Sequence, residues 1–298
     1  MSDIKIFKLE KSIVTELKGR SVAIEKSLQA LLERNLDSFL GVTFLASEYS
    51  TGKKHGGRID TLGIDENNCP VIIEYKRATN ENVINQGLYY LDWLLDHKAE
   101  FQLLVMKIKG QKIANDIEWS DSRLICIAGD YTKYDSYAVE QISRNIELIR
   151  YKKYEELLLL ELINAVTGQT PLPPGPKQIK YSTVAELLEK SSDELKDLYI
   201  SIKSYMIGLG DDIQVRELKF YFAFKKIRNF ACVEIHPQSN EILIYLKINP
   251  DNVELAEGFS RDVRKIGHFG TGDLEVKLKS YDDFDRAKPL IIKSYEAS

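Results

Sequence analysis

The sequence predicts an α/β protein in which an N-terminal domain with a mixed central sheet is followed by a smaller α+β domain. Three observations lead there. Apolar, β-branched runs such as Val71-Ile72-Ile73 and Leu124-Ile125-Cys126-Ile127 alternate with helix-period segments, a pattern that builds a sheet covered by helices. The stretch from Thr167 to Lys177 holds Pro171, Pro173, Pro174 and Pro176 with Gly168 and Gly175, and so reads as a stiff, extended linker. Beyond it the order changes to helices, then strands, then a closing helix. At 298 residues the chain suits two domains, expected at 1–166 and 178–298 with the linker at 167–177.

In the first domain, residues 1–20 read as a short strand and a lead-in. Ile24, Leu28, Leu31, Leu32, Leu36 and Phe39 form one apolar face of a helix from about Ser21 to Phe39, with Glu25 and Glu33 beside that face. Phe44 to Tyr49 reads as a strand carrying Glu48, and Tyr49 to Gly57 as a loop. Gly56 and Gly57 there suit either a close backbone approach to a phosphate or a flexible turn. Ile59 to Ile64 and Val71 to Lys76 read as two strands joined by the turn residues of Asp65 to Pro70. After Ala78-Thr79-Asn80, a helix is expected to about His97. Ile84, Leu88, Leu91 and Leu95 form its core stripe, and Gln86, Tyr90, Trp93 and His97 a second stripe. Glu100 to Ile108 and Arg123 to Ala128 read as strands, Tyr134 to Ile142 as a helix and Asn145 to Tyr151 as a strand. Glu156 to Ile163 fits strand or helix.

In the second domain, Ser182-Thr183 and Ser192 are positioned to cap helices at Val184 to Lys190 and Asp193 to Ile207. Strands are expected near Lys219 to Phe224, Phe230 to His236 and Ile242 to Ile248, with Pro237-Gln238-Ser239-Asn240 as a turn. Asp262 to Gly272 is a Gly-rich loop that suits either a turn or, through Gly267, His268, Gly270 and Gly272, a grip on a phosphate. Leu274 to Lys279 follows as a strand, and Asp282 to Tyr295 as the last helix.

Composition narrows the function. Hydrophobic residues make up 44% and charged residues 29%, an ordinary globular balance. Cys69, Cys126 and Cys232 are odd in number and far apart, which speaks against a zinc cluster or a disulfide framework. The start lacks the apolar core of a signal peptide, and the run Leu157 to Leu160 is far too short to span a bilayer. The expected location is therefore the cytoplasm, with no membrane partner. A formal net charge of −4 argues against a generally nucleic-acid-coated surface, so any DNA contact needs a local patch. Lys53, Lys54, His55, Arg58, Lys76 and Arg77 supply one.

That patch surrounds the most informative stretch, Gly56-Gly57-Arg58-Ile59-Asp60 through Val71-Ile72-Ile73-Glu74-Tyr75-Lys76-Arg77. A hairpin centred on Asn67 sets Asp60 opposite Glu74, with Cβ atoms roughly 5 Å apart. Glu74 and Lys76 share one face of their strand. Two opposed carboxylates at the end of an apolar hairpin repel, and a divalent cation relieves the repulsion.

Asp60, Glu74-x-Lys76, Gly-Gly-Arg-Ile-Asp and the helix segment Asn85-Gln86-Gly87-Leu88-Tyr89-Tyr90 together resemble the PD-(D/E)xK nuclease superfamily, in its RecB-like and mismatch-endonuclease branch. The likeness spans roughly Glu25 to Ile163, and the proline of the motif is replaced by Ile59. It implies a restriction-endonuclease-like core and a metal-dependent endonuclease acting on DNA in repair or in defence against foreign DNA. Asp60, Glu74 and the Tyr75 carbonyl would hold Mg²⁺ or Mn²⁺, with Lys76 as the catalytic lysine. Glu25, with Glu33 as rival, would complete the site from the first helix, and Gln86 and Tyr90 would accompany it. Arg58, Arg77, Lys53, Lys54 and Tyr90 would contact the nucleic acid. The resemblance allows a homodimer, because endonucleases that cut both strands commonly work in pairs. A DNA-binding protein that keeps this fold without turnover is the rival reading. The C-terminal half, through Asn229-Phe230-Ala231 and Gly267 to Asp273, resembles a bacterial domain of unknown function often found behind this core.

Overall fold

The structure is a computed structural model, and it describes residues 4–19, 25–52, 56–76, 83–166 and 182–298. The chain divides into two compact units, Met1–Thr170 and Pro171–Ser298. The expected linker at 167–177 lies outside the described residues.

Unit 1 is a mixed α/β body. A two-stranded sheet of β1 (Ile6–Glu10) and β2 (Ile13–Leu17) stands apart from a six-stranded sheet. The six strands lie in chain order: β3 (Val42–Ser50), β4 (Arg58–Asp65), β5 (Pro70–Lys76), β6 (Arg123–Ala128), β7 (Asn145–Tyr154) and β8 (Leu157–Val166). The β5–β6 and β6–β7 pairs are parallel and the others antiparallel. Parallel neighbours need crossovers, and helices supply them. α3 (Val83–Asp96), α4 (Lys98–Lys109) and α5 (Gln111–Asn115) link β5 to β6, and α6 (Lys133–Glu140) links β6 to β7. α1 (Glu25–Arg34) and α2 (Leu36–Leu40) precede the sheet. The long first helix expected from the sequence is divided at Asn35, which has φ −132° and cannot continue the helical path.

The run Glu100 to Ile108 is helical, not a strand. Phe101 and Val105, four residues apart, are buried, while Leu103 and Ile108 are exposed, which is helix periodicity. Leu, Met, Lys and Gln are good helix formers, and Lys107 and Lys109 complement the dipole at the C-terminal end. The ambiguous segment after Glu156 is the edge strand β8.

The hairpin of β4 and β5 pairs Thr61 with Ile73, Leu62 with Ile72 and Gly63 with Val71, a register centred on Asn67. Its turn is built by one side chain. Asp65 Oδ1 accepts the amides of Asn67 and Cys69, both at 2.9 Å, and Asn68 takes the left-handed conformation at φ 61° that Asn tolerates. Asp65 Oδ2 lies 3.1 Å from Arg123 Nε, and Arg123 Nη1 donates to Glu147 Oε1 at 2.7 Å, all three side chains being buried. Burying charges is costly unless they are paired, so this cluster ties the turn to β6 and β7.

Unit 2 holds a six-stranded antiparallel sheet in the order β13 (Ser260–Asp262), β14 (Leu274–Leu278), β12 (Glu241–Leu246), β11 (Asn229–His236), β10 (Phe222–Lys225) and β9 (Gln214–Glu217). α7 (Val184–Glu189), α8 (Asp193–Ile207) and α9 (Tyr281–Glu296) accompany it, the first two capped by Thr183 and Ser192. The strand expected from Lys219 begins later, at Phe222, and β9 precedes it.

Replacing Asp65 with alanine removes the one oxygen that accepts both turn amides and one partner of the buried arginine. Equilibrium urea unfolding should show a loss of about 3 kcal/mol. A loss below about 1 kcal/mol would mean that the turn is held by something else.

Candidate active site

Strand alternation and the hairpin register build the site. Asp60 and Thr61 are successive on β4 and point to opposite faces. On one face, Thr61 Oγ1 donates to Glu33 Oε1 at 2.6 Å and bonds the Tyr75 hydroxyl at 3.2 Å. On the other face, Asp60 meets Glu74. The Asp60 amide donates to Glu74 Oε1 at 3.1 Å, and the Tyr75 amide donates to Asp60 Oδ2 at 3.0 Å. Glu74 is thus anchored by the Asp60 amide, and Asp60 by the amide of Tyr75, the residue after Glu74.

Glu74 is fully buried, at 0% exposure, and its Oε2 has no hydrogen-bond partner among the described residues. Burial, reinforced by the negative charge of Asp60, pushes its carboxyl up to about 9. The Asp60 amide and the Lys76 ammonium pull it down, and Glu48 pushes it further up. A glutamate directed into an acidic, nearly dry position without a partner is costly by itself. Lys76 sits half-buried two residues on, on the same face.

Glu33 is held by Thr61, away from the Asp60–Glu74 face. Gln29 joins the two sides, donating to Glu33 Oε1 at 3.0 Å, to Ser47 Oγ at 3.2 Å and to the Asp60 carbonyl at 2.8 Å. Nothing in the spacing singles Gln29 out, although a glutamine beside Leu28 on an apolar helix face is a signal that it has buried partners. Glu25 opens α1, and its side chain lies outside the described residues.

α3 covers the acidic face because Gly87 lets it approach. A Cβ at Gly87 would stand 2.4 Å from Leu124 Cδ1, so a larger residue would lift the helix off β6. Gln86 and Tyr90, one turn apart, are thereby brought to the cleft, with Gln86 Nε2 donating to the Tyr90 hydroxyl at 3.2 Å. The same hydroxyl accepts the Arg58 amide at 3.3 Å, and the Tyr90 ring lies against Gly57, where a Cβ would clash at 2.6 Å. Trp93 and His97 stack at 4.5 Å, and His97 Nδ1 lies 2.8 Å from the Trp93 carbonyl, a structural pairing.

An open cleft of about 590 Å³ is lined by Glu48, Ser50, Gly52, Gly56, Gly57, Arg58, Asp60, Gln86 and Tyr90. Glu48 stands at φ 50°, a left-handed conformation rare for a residue other than Gly, Asn or Asp. Its Oε2 lies 3.5 Å from Arg58 Nε. Lys53, Lys54, His55 and Arg77 lie outside the described residues. Among the described residues, no group of three or more His, Cys, Asp or Glu side chains is gathered around a common ion position. Asp60 and Glu74 form a pair of hard oxygen donors, the kind that Mg²⁺ or Mn²⁺ takes together with backbone oxygen and water.

The Gly-rich loop of unit 2 is tied to the domain at two amides, while Ile266 and Phe269 remain exposed. The Phe269 amide donates to Glu234 Oε1 at 3.1 Å and the Thr271 amide to Cys232 Sγ at 3.3 Å. His268 stacks on Tyr245 at 4.3 Å. Gly270 lies against Cys232 and Gly272 against the backbone at Leu246, while Gly267 has no close neighbour. The amides of Phe269 and Thr271 are thus committed to the domain itself.

Comparison with known proteins adds two findings. Residues 184–298 match the model of a domain of unknown function, DUF5655. A Haemophilus influenzae protein described as uncharacterized is 30% identical over 303 aligned residues, covering 97% of this chain and 98% of that protein. No solved structure matches the chain.

The buried carboxyl sets a pH dependence. The folded chain keeps the Glu74 proton to about 9, against an ordinary value of 4.5, so across that window the folded state binds more protons and rising pH works against folding. In the presence of a chelator, Glu74→Gln should be more stable than wild type at pH 8, by on the order of 2 kcal/mol, and the two should converge below about pH 4. Parallel stability curves from pH 4 to 9 would show that Glu74 ionises normally.

Proposed function

The chain belongs to the same family as the Haemophilus influenzae protein, and for it we propose a metal-dependent endonuclease that hydrolyses DNA phosphodiester bonds. Its N-terminal domain is read as a restriction-endonuclease-like core of the PD-(D/E)xK type. The observation that carries this reading is the Glu74 carboxylate: fully buried, with one oxygen lacking a partner among the described residues, and pressed against Asp60 beside an open cleft. A merely structural hairpin gains nothing from that arrangement, whereas a divalent cation turns the repulsion into ligation. The residues fit such an ion: both donors are hard oxygens, and the Tyr75 backbone at the same point is aligned by Asp60.

Asp60 and Glu74, with the Tyr75 carbonyl, would hold Mg²⁺ or Mn²⁺. The bound ion supplies Lewis-acid chemistry, neutralising the phosphate and lowering the pKa of a coordinated water. Lys76, on the face of β5 that carries Glu74, orients the attacking water and opposes the charge that develops on the phosphoryl oxygens. Arg58, largely exposed at the rim of the cleft, binds the phosphate backbone. Gln86 positions Lys76 or the scissile phosphate, and the Tyr90 hydroxyl holds the strand at Arg58.

Purified chain with Mg²⁺ or Mn²⁺ is expected to cut at least one of a panel of duplex, single-stranded, branched and mismatched DNAs. Asp60→Asn should abolish both cleavage and the ion-induced rise in melting temperature. Lys76→Ala should lower the rate about 10²-fold or more while keeping the ion-induced rise and most of the DNA affinity. Binding without cleavage of any substrate would select the alternative, a catalytically silent DNA-binding protein. Equal thermal shifts in wild type and Asp60→Asn would place the ion elsewhere.

A further inference from the structure

We propose that Glu48 is a further ligand of the ion, exchanging its contact with Arg58 for the ion when the ion binds. The proposal deepens the nuclease reading and rests on it, since it assigns a new residue to the ion site.

Four observations converge on Glu48. It lines the same cleft as Asp60. Its negative charge already acts on Glu74, raising that carboxyl together with burial and Asp60. Its backbone is in the left-handed region, at φ 50° in the middle of β3, where the long side chain of a glutamate finds no local compensation of the kind available to Asn or Asp. Such a conformation persists only where its surroundings enforce it, and the flanking pairs Ser47–Thr61 and Tyr49–Ile59 set Glu48 level with Asp60. Finally, the fully buried Glu74, held through Oε1 by the Asp60 amide, has an Oε2 without a hydrogen-bond partner among the described residues, an acceptor that a cation, a proton or a hydrogen-bond donor can satisfy.

Glu48 meets Arg58 at 3.5 Å, with the arginine 67% exposed and the glutamate 37% exposed. An ion pair that wet and that long is weak, so little holds Glu48 in place against a divalent ion. The exchange has two consequences. The ion gains a third carboxylate, where no three such side chains are gathered among the described residues. Arg58 loses its internal partner at the moment a phosphate needs it, so ion loading and phosphate capture are coupled through one side chain.

Calorimetric titration of the full chain with Mn²⁺, without nucleic acid, tests this. Glu48→Gln should weaken Mn²⁺ binding at least tenfold. Glu48→Asp keeps the charge and tolerates the left-handed backbone but shortens the reach, so a ligand role predicts that it too weakens binding at least fivefold. Wild-type affinity in Glu48→Asp would mean that Glu48 acts only through its charge, and wild-type affinity in Glu48→Gln that it does not act at all; either result overturns the proposal. Asp60→Asn separates the two levels. If it abolishes Mn²⁺ binding while both Glu48 variants bind normally, the ion site stands and the Glu48 assignment falls. If wild type takes up no Mn²⁺, or Asp60→Asn binds as wild type does, the ion site and the assignment fall together.

Discussion

Asp65 joins the turn of the central hairpin of unit 1 to the strand that follows in the sheet. One of its oxygens closes the β4–β5 turn through the amides of Asn67 and Cys69, and the other meets the buried guanidinium of Arg123, which in turn holds Glu147 on β7. The turn fixes the register, and the register decides which side chains oppose each other at the far end of the hairpin. A slip of one residue would send Asp60 to the opposite face of the sheet and break the opposition to Glu74. The salt-bridged cluster at one end of the strands therefore sets the geometry of the acidic pair at the other.

The two ends treat buried charge differently. At the Arg123 end, each acid faces the guanidinium, and the cluster ties three strands together. At the Asp60 end, two acids face each other, and the carboxyl of Glu74 responds by holding its proton to about 9. The nearby Lys76 offsets only part of that burden. Folding alone does not call for such a site, and its local instability is what a cation would relieve.

The hairpin was legible in the sequence because its determinants are local: β-branched runs, turn residues from Asp65 to Pro70, and an even spacing around Asn67. The caps at Thr183 and Ser192 were legible for the same reason. The segment Lys98–Lys109 misled because four apolar residues in succession, Leu103 to Met106, look like a buried strand, whereas burial follows Phe101 and Val105. The motif identified Asp60, Glu74 and Lys76, yet gave no sign that Asp65, Arg123 and Glu147 are partners, since three separate strands bring them together. Gln29 was hidden in the same way, as its contacts to Ser47 and to the Asp60 carbonyl depend on how α1 lies on the sheet. The left-handed backbone at Glu48 has no sequence signature, because glutamate does not ordinarily adopt it.

The most direct measurement is the anomalous density of Mn²⁺ in a crystal of the chain grown near neutral pH. The account predicts one strong peak within coordinating distance of both Asp60 and Glu74, with Glu74 Oε2 among its ligands, and no such peak in Asp60→Asn. Mn²⁺ bound elsewhere, with the Asp60–Glu74 pair unchanged in its presence, would contradict it.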